Sequence, residues 1–76
     1  MKIILTGISA ELFKTAEVKI TKEVSSVSEL RNHLFSLEPK LSDHHTAFAV
    51  NSVLAKDSDR LKKEDRIMVF HPFSGG

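Results

Sequence analysis

One stretch of this sequence carries a strong helical signature, and the remaining segments must bury the face it presents. Val27, Leu30, Leu34 and Leu37 recur at intervals of three, four and three residues, which lines one stripe of an α-helix. Phe35 widens the stripe, while Arg31, Asn32 and Ser36 fall elsewhere on the wheel. Ser26-Val27-Ser28-Glu29 fits a capping box, in which Ser26 accepts from the backbone N–H near Glu29 and Glu29 reaches back. Pro39 stops the helix, because the residue before a proline is disfavoured from α geometry. One amphipathic helix cannot close a core alone and needs a sheet to lie on.

The flanking segments read as that sheet. Residues 1–7 are β-branched and apolar, and the unbroken run Ile3-Ile4-Leu5 suggests a central strand covered on both faces. Residues 9–14 read as a connecting loop or a helical turn. Residues 16–21 alternate, with Val18 and Ile20 on one face, and could form a hairpin with the first strand. After the helix, residues 41–46 read as a loop, 47–50 as a short apolar strand, Asn51-Ser52 as a turn and 53–55 as a returning strand. Residues 56–65 form a charged surface segment in which Leu61 alone points inward. Residues 66–70 are the last strand, with Ile67 and Val69 on one face and Met68 and Phe70 on the other. The order is β-β-α-β-β-β, and the first and last strands, the most hydrophobic, belong side by side in the middle. This is an α+β chain with the β-grasp arrangement: a mixed sheet packed on one main helix. Residues 1–72 are expected to form that domain and residues 73–76 a flexible tail.

Composition narrows the function. A chain of 76 residues is one small domain, and a domain this short buries only about 60% of its unfolded surface. With no cysteine it has neither disulfides nor a thiolate metal site, so its core rests on aliphatic residues and five phenylalanines. The 11 basic residues are interleaved with 10 acidic ones, and there is no Tyr or Trp for base stacking, which argues against nucleic acid. Ile3-Ile4-Leu5 is too short for a signal peptide or a membrane span, so a cytoplasmic protein with no membrane partner is expected. Lacking a thiol, the chain cannot hold a persulfide or act as a thiol redox protein.

The end of the chain, Phe73-Ser74-Gly75-Gly76, reads as a reagent or as a frayed terminus. Glycine threads narrow channels and leaves the terminal carbonyl carbon open to attack. Pro72 cannot continue a strand ladder, so residues 73–76 must leave the sheet. Four extended residues reach about 13 Å, enough to place a carboxylate in a partner's pocket. Phe73 either anchors the base of this tail in a hydrophobic niche or folds back on its own domain. A carboxylate is a poor electrophile and needs activation, for instance as an acyl-adenylate formed with ATP by a partner. A sulfur nucleophile can then replace the leaving group, and that sulfur must come from outside.

Several pieces resemble the small subunit of molybdopterin synthase, the MoaD family. Val27-Ser28-Glu29-Leu30-Arg31-Asn32-His33-Leu34 resembles its helix, and Ala49-Val50-Asn51 its Ala-Val-Asn step. The stretch from Leu61 to Asp65, then Ile67 and Phe70, resembles its penultimate loop and last strand, and Pro72 with Gly75-Gly76 its tail. The resemblance covers nearly the whole chain. It implies a ubiquitin-like sulfur carrier that binds no cofactor itself. An E1-like enzyme adenylates the terminal glycine with ATP, and a sulfurtransferase system supplies sulfur to form a thiocarboxylate. The tail enters the large subunit of molybdopterin synthase, in an expected heterotetramer, and sulfur passes to cyclic pyranopterin monophosphate. By position Gly76 would carry the sulfur and Gly75 would let it enter. Leu54 and Phe70 match interface positions, and Pro72, Phe73 and Ser74 complete the partner-binding set. The chain departs from the family at Thr6, where an aromatic residue is common, at Ala10 for Arg, at Glu64 for Gly and at His71 for the first of two prolines. Glu64 raises the prospect of a strained turn, since a non-glycine residue with positive φ is uncommon.

His33, His44, His45 and His71 show no metal-binding spacing; His44 and His45 are adjacent and would point apart. The acids and bases of residues 56–66 read as a solvated face. No Ser-His-Asp order or phosphate-binding glycine loop is present, so the chain is not expected to be catalytic alone. The rival readings are a thiamine-pathway carrier of the ThiS kind, a ubiquitin-like modifier joined to lysine, and a β-grasp interaction module with an inert tail.

Overall fold

In a computed structural model the structure describes residues 1–72. The chain runs β1 (Lys2–Leu5), α1 (Gly7–Phe13), β2 (Glu17–Lys19), α2 (Val27–Leu37), a 3₁₀ helix (Pro39–Asp43), β3 (Ala47–Val50), β4 (Val53–Leu54) and β5 (Ile67–Phe70). The strands form one sheet in the order β2-β1-β5-β3-β4. β1 and β5 are parallel, with Ile3 opposite Ile67 and Leu5 opposite Val69. The other pairings are antiparallel. The most apolar strands are therefore neighbours inside the sheet, as the sequence suggests, and the β-grasp architecture holds.

The core lies between one sheet face and α2. Ile3, Leu5, Phe48, Ile67 and Val69 come from the sheet, Val27, Leu30 and Leu34 from α2, and Leu41 from the 3₁₀ helix. Ile20 and Leu61 close its margins. Arg31 ties α2 to the sheet. Its guanidinium lies 5.0 Å from the Phe48 ring centroid, donates to the Thr46 carbonyl at 2.6 Å and meets Asp57 at 2.9 Å.

Three expectations need correction. The sheet is covered on one face only: Ile3 and Leu5 are buried, but Ile4 between them is exposed. An apolar run thus alternates like any strand with one wet face. Leu37 is 52% exposed and not part of the core. It is the last residue of α2, and Leu41 of the 3₁₀ helix is buried at that end instead. Of the expected loop 41–46, residues 41–43 belong instead to the 3₁₀ helix Pro39–Asp43, started by Pro39, whose missing N–H is harmless in a first turn. β1 and β2 do pair antiparallel, as the hairpin reading expects, with α1 in the connection between them. Pairing does extend beyond β2, through Leu5 N–H to Ala16 at 2.9 Å and Ile20 N–H to Met1 at 2.7 Å.

Two turns depend on side chains. Asn51 and Ser52 have φ of 52° and 70°, the two positive values of a tight turn between β3 and β4. Asn51 also donates to Asp65 at 2.9 Å and accepts from the Arg66 amide at 2.9 Å, and Asp65 accepts from the Lys62 amide at 2.7 Å. The turn at Glu64 is unstrained, because Glu64 is not among the residues with positive φ. These hydrogen bonds, from the Lys62 amide first and then from Asn51, hold the Asp65 carboxyl below its usual value of 3.8. At the start of α2, Ser26 accepts from the Glu29 amide at 3.2 Å, as the capping box requires. Glu29 reaches one residue further back than expected and accepts from the Ser25 hydroxyl at 2.6 Å. That bond is the chief cause holding its carboxyl below 4.5.

Leu34→Ala should cost about 2–5 kcal/mol in urea denaturation, a large part of a small domain's stability, whereas Leu37→Ala should cost less than about 1 kcal/mol. For Glu29 and Asp65 the folded pKa lies below the unfolded one, so their stabilisation is present above the unfolded pKa and lost as pH falls through the folded value. The double variant Glu29→Gln/Asp65→Asn should therefore be less stable than the parent at about pH 6. The difference should vanish once pH drops below both lowered pKa values, as read by denaturation midpoints across pH.

Candidate functional site: the open sheet face and the end of the last strand

The face of the sheet turned away from α2 carries side chains that the core does not use. Register places Ile4 of β1 opposite Met68 of β5, Met68 opposite Ala49 of β3, and Ala49 opposite Leu54 of β4. These four side chains form an apolar row across four strands. Ile4, Met68 and Leu54 are exposed. Ala47 and Phe70, both half-buried, pair beside this row toward the end of β5. Glu17 of β2 lies opposite Ile4, and Lys2 approaches it at 3.7 Å, so the β2 edge of the face is charged. At the start of β5 a recess of about 370 Å³ is lined by Ile4, Ile67, Lys2, Lys63, Arg66, Glu64 and Asp65.

This placement brings Leu54 and Phe70 onto one face, in adjacent rows. Ile4 and Met68, which join them, were not singled out as site residues. Met68 was legible in the alternation of the last strand; Ile4 was masked by its apolar neighbours. Pro72 is exposed and is the last described residue. Phe73, Ser74, Gly75 and Gly76 lie outside the described residues. Among the described residues no group of three or more His, Cys, Asp or Glu side chains could hold a metal ion, and no helix is long and apolar enough to cross a membrane.

The end of β5 is fastened at two points to the start of α1. Thr6, the residue before α1, donates its hydroxyl to the Val69 carbonyl at 2.7 Å. The Ser9 amide donates to Nε2 of His71 at 3.1 Å, and Nδ1 of His71 lies 2.8 Å from the His45 carbonyl. Gly7 permits the sharp entry to α1: its φ is +52°, and a Cβ there would meet the His71 ring at 3.8 Å. Thr6 and His71, departures from the resembled family, are thus both structural parts of one joint. The structure offers no account of Ala10 beyond its packing against the core.

The sequence profile of the ThiS family matches residues 3–76. The chain belongs to the ThiS family. It is a ThiS/MoaD-like ubiquitin-like protein, of the sulfur-carrier or modifier kind. No curated protein matches the sequence significantly. Solved structures share the fold. The SAMP1 protein of Haloferax volcanii is 20% identical, with 99% of this chain and 97% of that chain covered and a TM-score of 0.79. A second structure of this small archaeal modifier protein 1 is 17% identical, with 92% and 93% covered and a TM-score of 0.78. A Pyrococcus furiosus protein named after subunit 1 of molybdopterin converting factor is 18% identical, with 92% and 93% covered and a TM-score of 0.82.

The one-sidedness of the sheet in this ThiS-family chain is measurable. Met68→Lys should shift the unfolding free energy by no more than about 1 kcal/mol, while Val69→Lys, one residue on, should prevent folding by burying an unpaired charge. Far-UV circular dichroism with thermal melts distinguishes the two.

Proposed function

We propose that this ThiS-family protein is a sulfur carrier, the small subunit of a molybdopterin synthase, and that Gly76 is the carrying residue. The observation that carries the reading is the placement of β5. It is the last strand, it lies inside the sheet, and it ends at Phe70 beside an exposed apolar face. A partner docked on Ile4, Met68, Leu54 and Phe70 would receive the chain beyond Pro72 at the rim of the same surface. Fully apolar rows that can be desolvated on docking are where binding energy concentrates. Two partners need such a surface in turn: an E1-like adenylating enzyme and the large subunit of the synthase. The resemblance of the helix, the Ala-Val-Asn step and the tail favours the molybdopterin pathway over thiazole synthesis.

The chemistry balances as follows. The Gly76 carboxylate attacks the α-phosphorus of ATP on the activating enzyme, and pyrophosphate leaves. A persulfide sulfur of the donor attacks the acyl carbon, and AMP leaves, giving an acyl disulfide. A second thiol of the donor system reduces that disulfide, so its electrons leave the thiocarboxylate on Gly76 and an oxidised disulfide on the donor. This chain supplies the acyl group and the docking surface; it has no thiol to supply the sulfur. In the synthase the thiocarboxylate sulfur would bond to a carbon of the pterin precursor and displace an oxygen leaving group there; water then attacks the resulting thioester carbonyl and breaks its acyl carbon–sulfur bond, so the sulfur stays on the pterin and Gly76 leaves as the carboxylate.

Incubation with ATP, the activating enzyme and a persulfide donor should raise the intact mass by the difference between one sulfur and one oxygen. Deleting Gly76 should abolish that change and leave the melting curve unaltered. An unchanged mass in the presence of a competent activating enzyme would overturn the carrier reading. A product linked to lysine would make the protein a modifier. Sulfur delivered only to a thiazole-forming partner would assign it to the other pathway.

A further inference from the structure

We propose that His71 is a positioning residue: its neutral ring, protonated on Nδ1, caps α1 across the chain and so fixes the point at which the polypeptide leaves β5. The assignment begins with an anomaly at the start of α1. Thr6 occupies the N-cap position with extended backbone, φ −132° and ψ 159°, where a threonine hydroxyl normally accepts from the second or third amide of the helix. Here it makes no such bond and donates instead to the Val69 carbonyl. The third amide, that of Ser9, is fully buried and would be left without an acceptor, which is costly. Nε2 of His71, 62 positions along the chain, takes the place of the missing cap at 3.1 Å.

That bond dictates the state of the ring. Nε2 faces an N–H donor, so it must be the unprotonated nitrogen. Nδ1 then carries the proton and donates to the His45 carbonyl at 2.8 Å. An imidazolium has no acceptor nitrogen and could not hold Ser9. The ring is also buried, and His44 stands edge-on to it at 6.5 Å between centroids and 76° between planes. Among the described residues His44, from the segment before β3, is a titratable neighbour that faces it, and α1 meets it through the Ser9 backbone amide. His71 therefore bolts the residue before Pro72 to two other elements, α1 and the segment before β3. Together with the Thr6–Val69 bond this leaves the chain little freedom to choose its direction until Pro72. A proline at position 71, which the resembled family would place there, has no side-chain nitrogen for this role.

The tautomer and the cap can be tested without any partner, so their failure is separable from failure of the sulfur-carrier reading, on which only the last arm rests. Ring ¹⁵N shifts of His71 at neutral pH should show the Nδ1–H tautomer; an Nε2–H tautomer or a doubly protonated ring overturns the proposal. His71→Gln can retain an acceptor for Ser9, whereas His71→Asn reaches only toward His45, and His71→Ala retains neither. Relative to the core amide of Phe48, which reports global opening, Ser9 amide exchange should quicken on the order of tenfold in the Asn and Ala variants and stay within about threefold of the parent in the Gln variant. Equal acceleration of Ser9 and Phe48 would reduce His71 to a general stabiliser and sink the positioning role. Cα–Hα residual dipolar couplings of Pro72 should fit the folded domain in the parent and shrink toward zero in His71→Ala; unchanged couplings count against the proposal. With an activating enzyme in hand, His71→Ala should raise the apparent KM about tenfold with kcat nearly preserved, and His71→Gln should restore most of the loss. An unchanged KM in a carrier that is otherwise activated overturns the functional half of the proposal.

Discussion

Parallel pairing between the first and last strands is the constraint on which the other features hang. Because β1 and β5 run the same way, the end of β5 emerges beside the end of β1, where α1 begins. Parallel neighbours cannot be joined by a tight turn and require a long crossover. In this chain the crossover is nearly the whole of the rest: α1, β2, α2, the 3₁₀ helix, β3 and β4 lie between them. Burial of Ile3, Leu5, Ile67 and Val69 against α2 holds the pair together. The same geometry ends β5 in the interior of the sheet rather than at its edge.

A sheet with helices on one face has to leave the other face wet, and here that face is apolar. Ile4 and Met68 are not needed for the core, yet they sit opposite each other in the central strands and continue through Ala49 to Leu54. Such a row invites self-association unless the edges are guarded. One edge is the charged strand β2, with Lys2 and Glu17 in contact across the β1–β2 pair; the other, β4, is only two residues long. Edge pairing is thereby discouraged while the apolar face stays exposed.

Most of the fold was legible because its signals are local. The stripe on α2, the Ser26 cap, the alternation of β5 and the Asn51-Ser52 turn each follow from residues a few positions apart. The errors came where the deciding contact is remote. Nothing near Ile4 says which side of a strand lacks a helix, and nothing near Leu37 says that Leu41 will fill the core beyond it. At the candidate site, Leu54 and Phe70 were singled out through family resemblance, and the structure places both on the open face. The row that joins them exists only in the register of four strands, which the sequence does not display.

Thr6 and His71 make the same point in chemical terms. Judged singly against the resembled family, each is only a departure, a threonine where an aromatic residue is common and a histidine for a proline. In the structure they meet. Thr6 gives up its capping bond to hold Val69, and His71 supplies the cap that Thr6 vacates. Stiffness at the chain's exit can come from a ring that fixes φ or from side chains that fix neighbouring elements to each other. The second solution depends on a proton: it works only while one imidazole nitrogen is free to accept. The direction in which the chain leaves β5 thus rests on a buried side chain and on which of its ring nitrogens accepts.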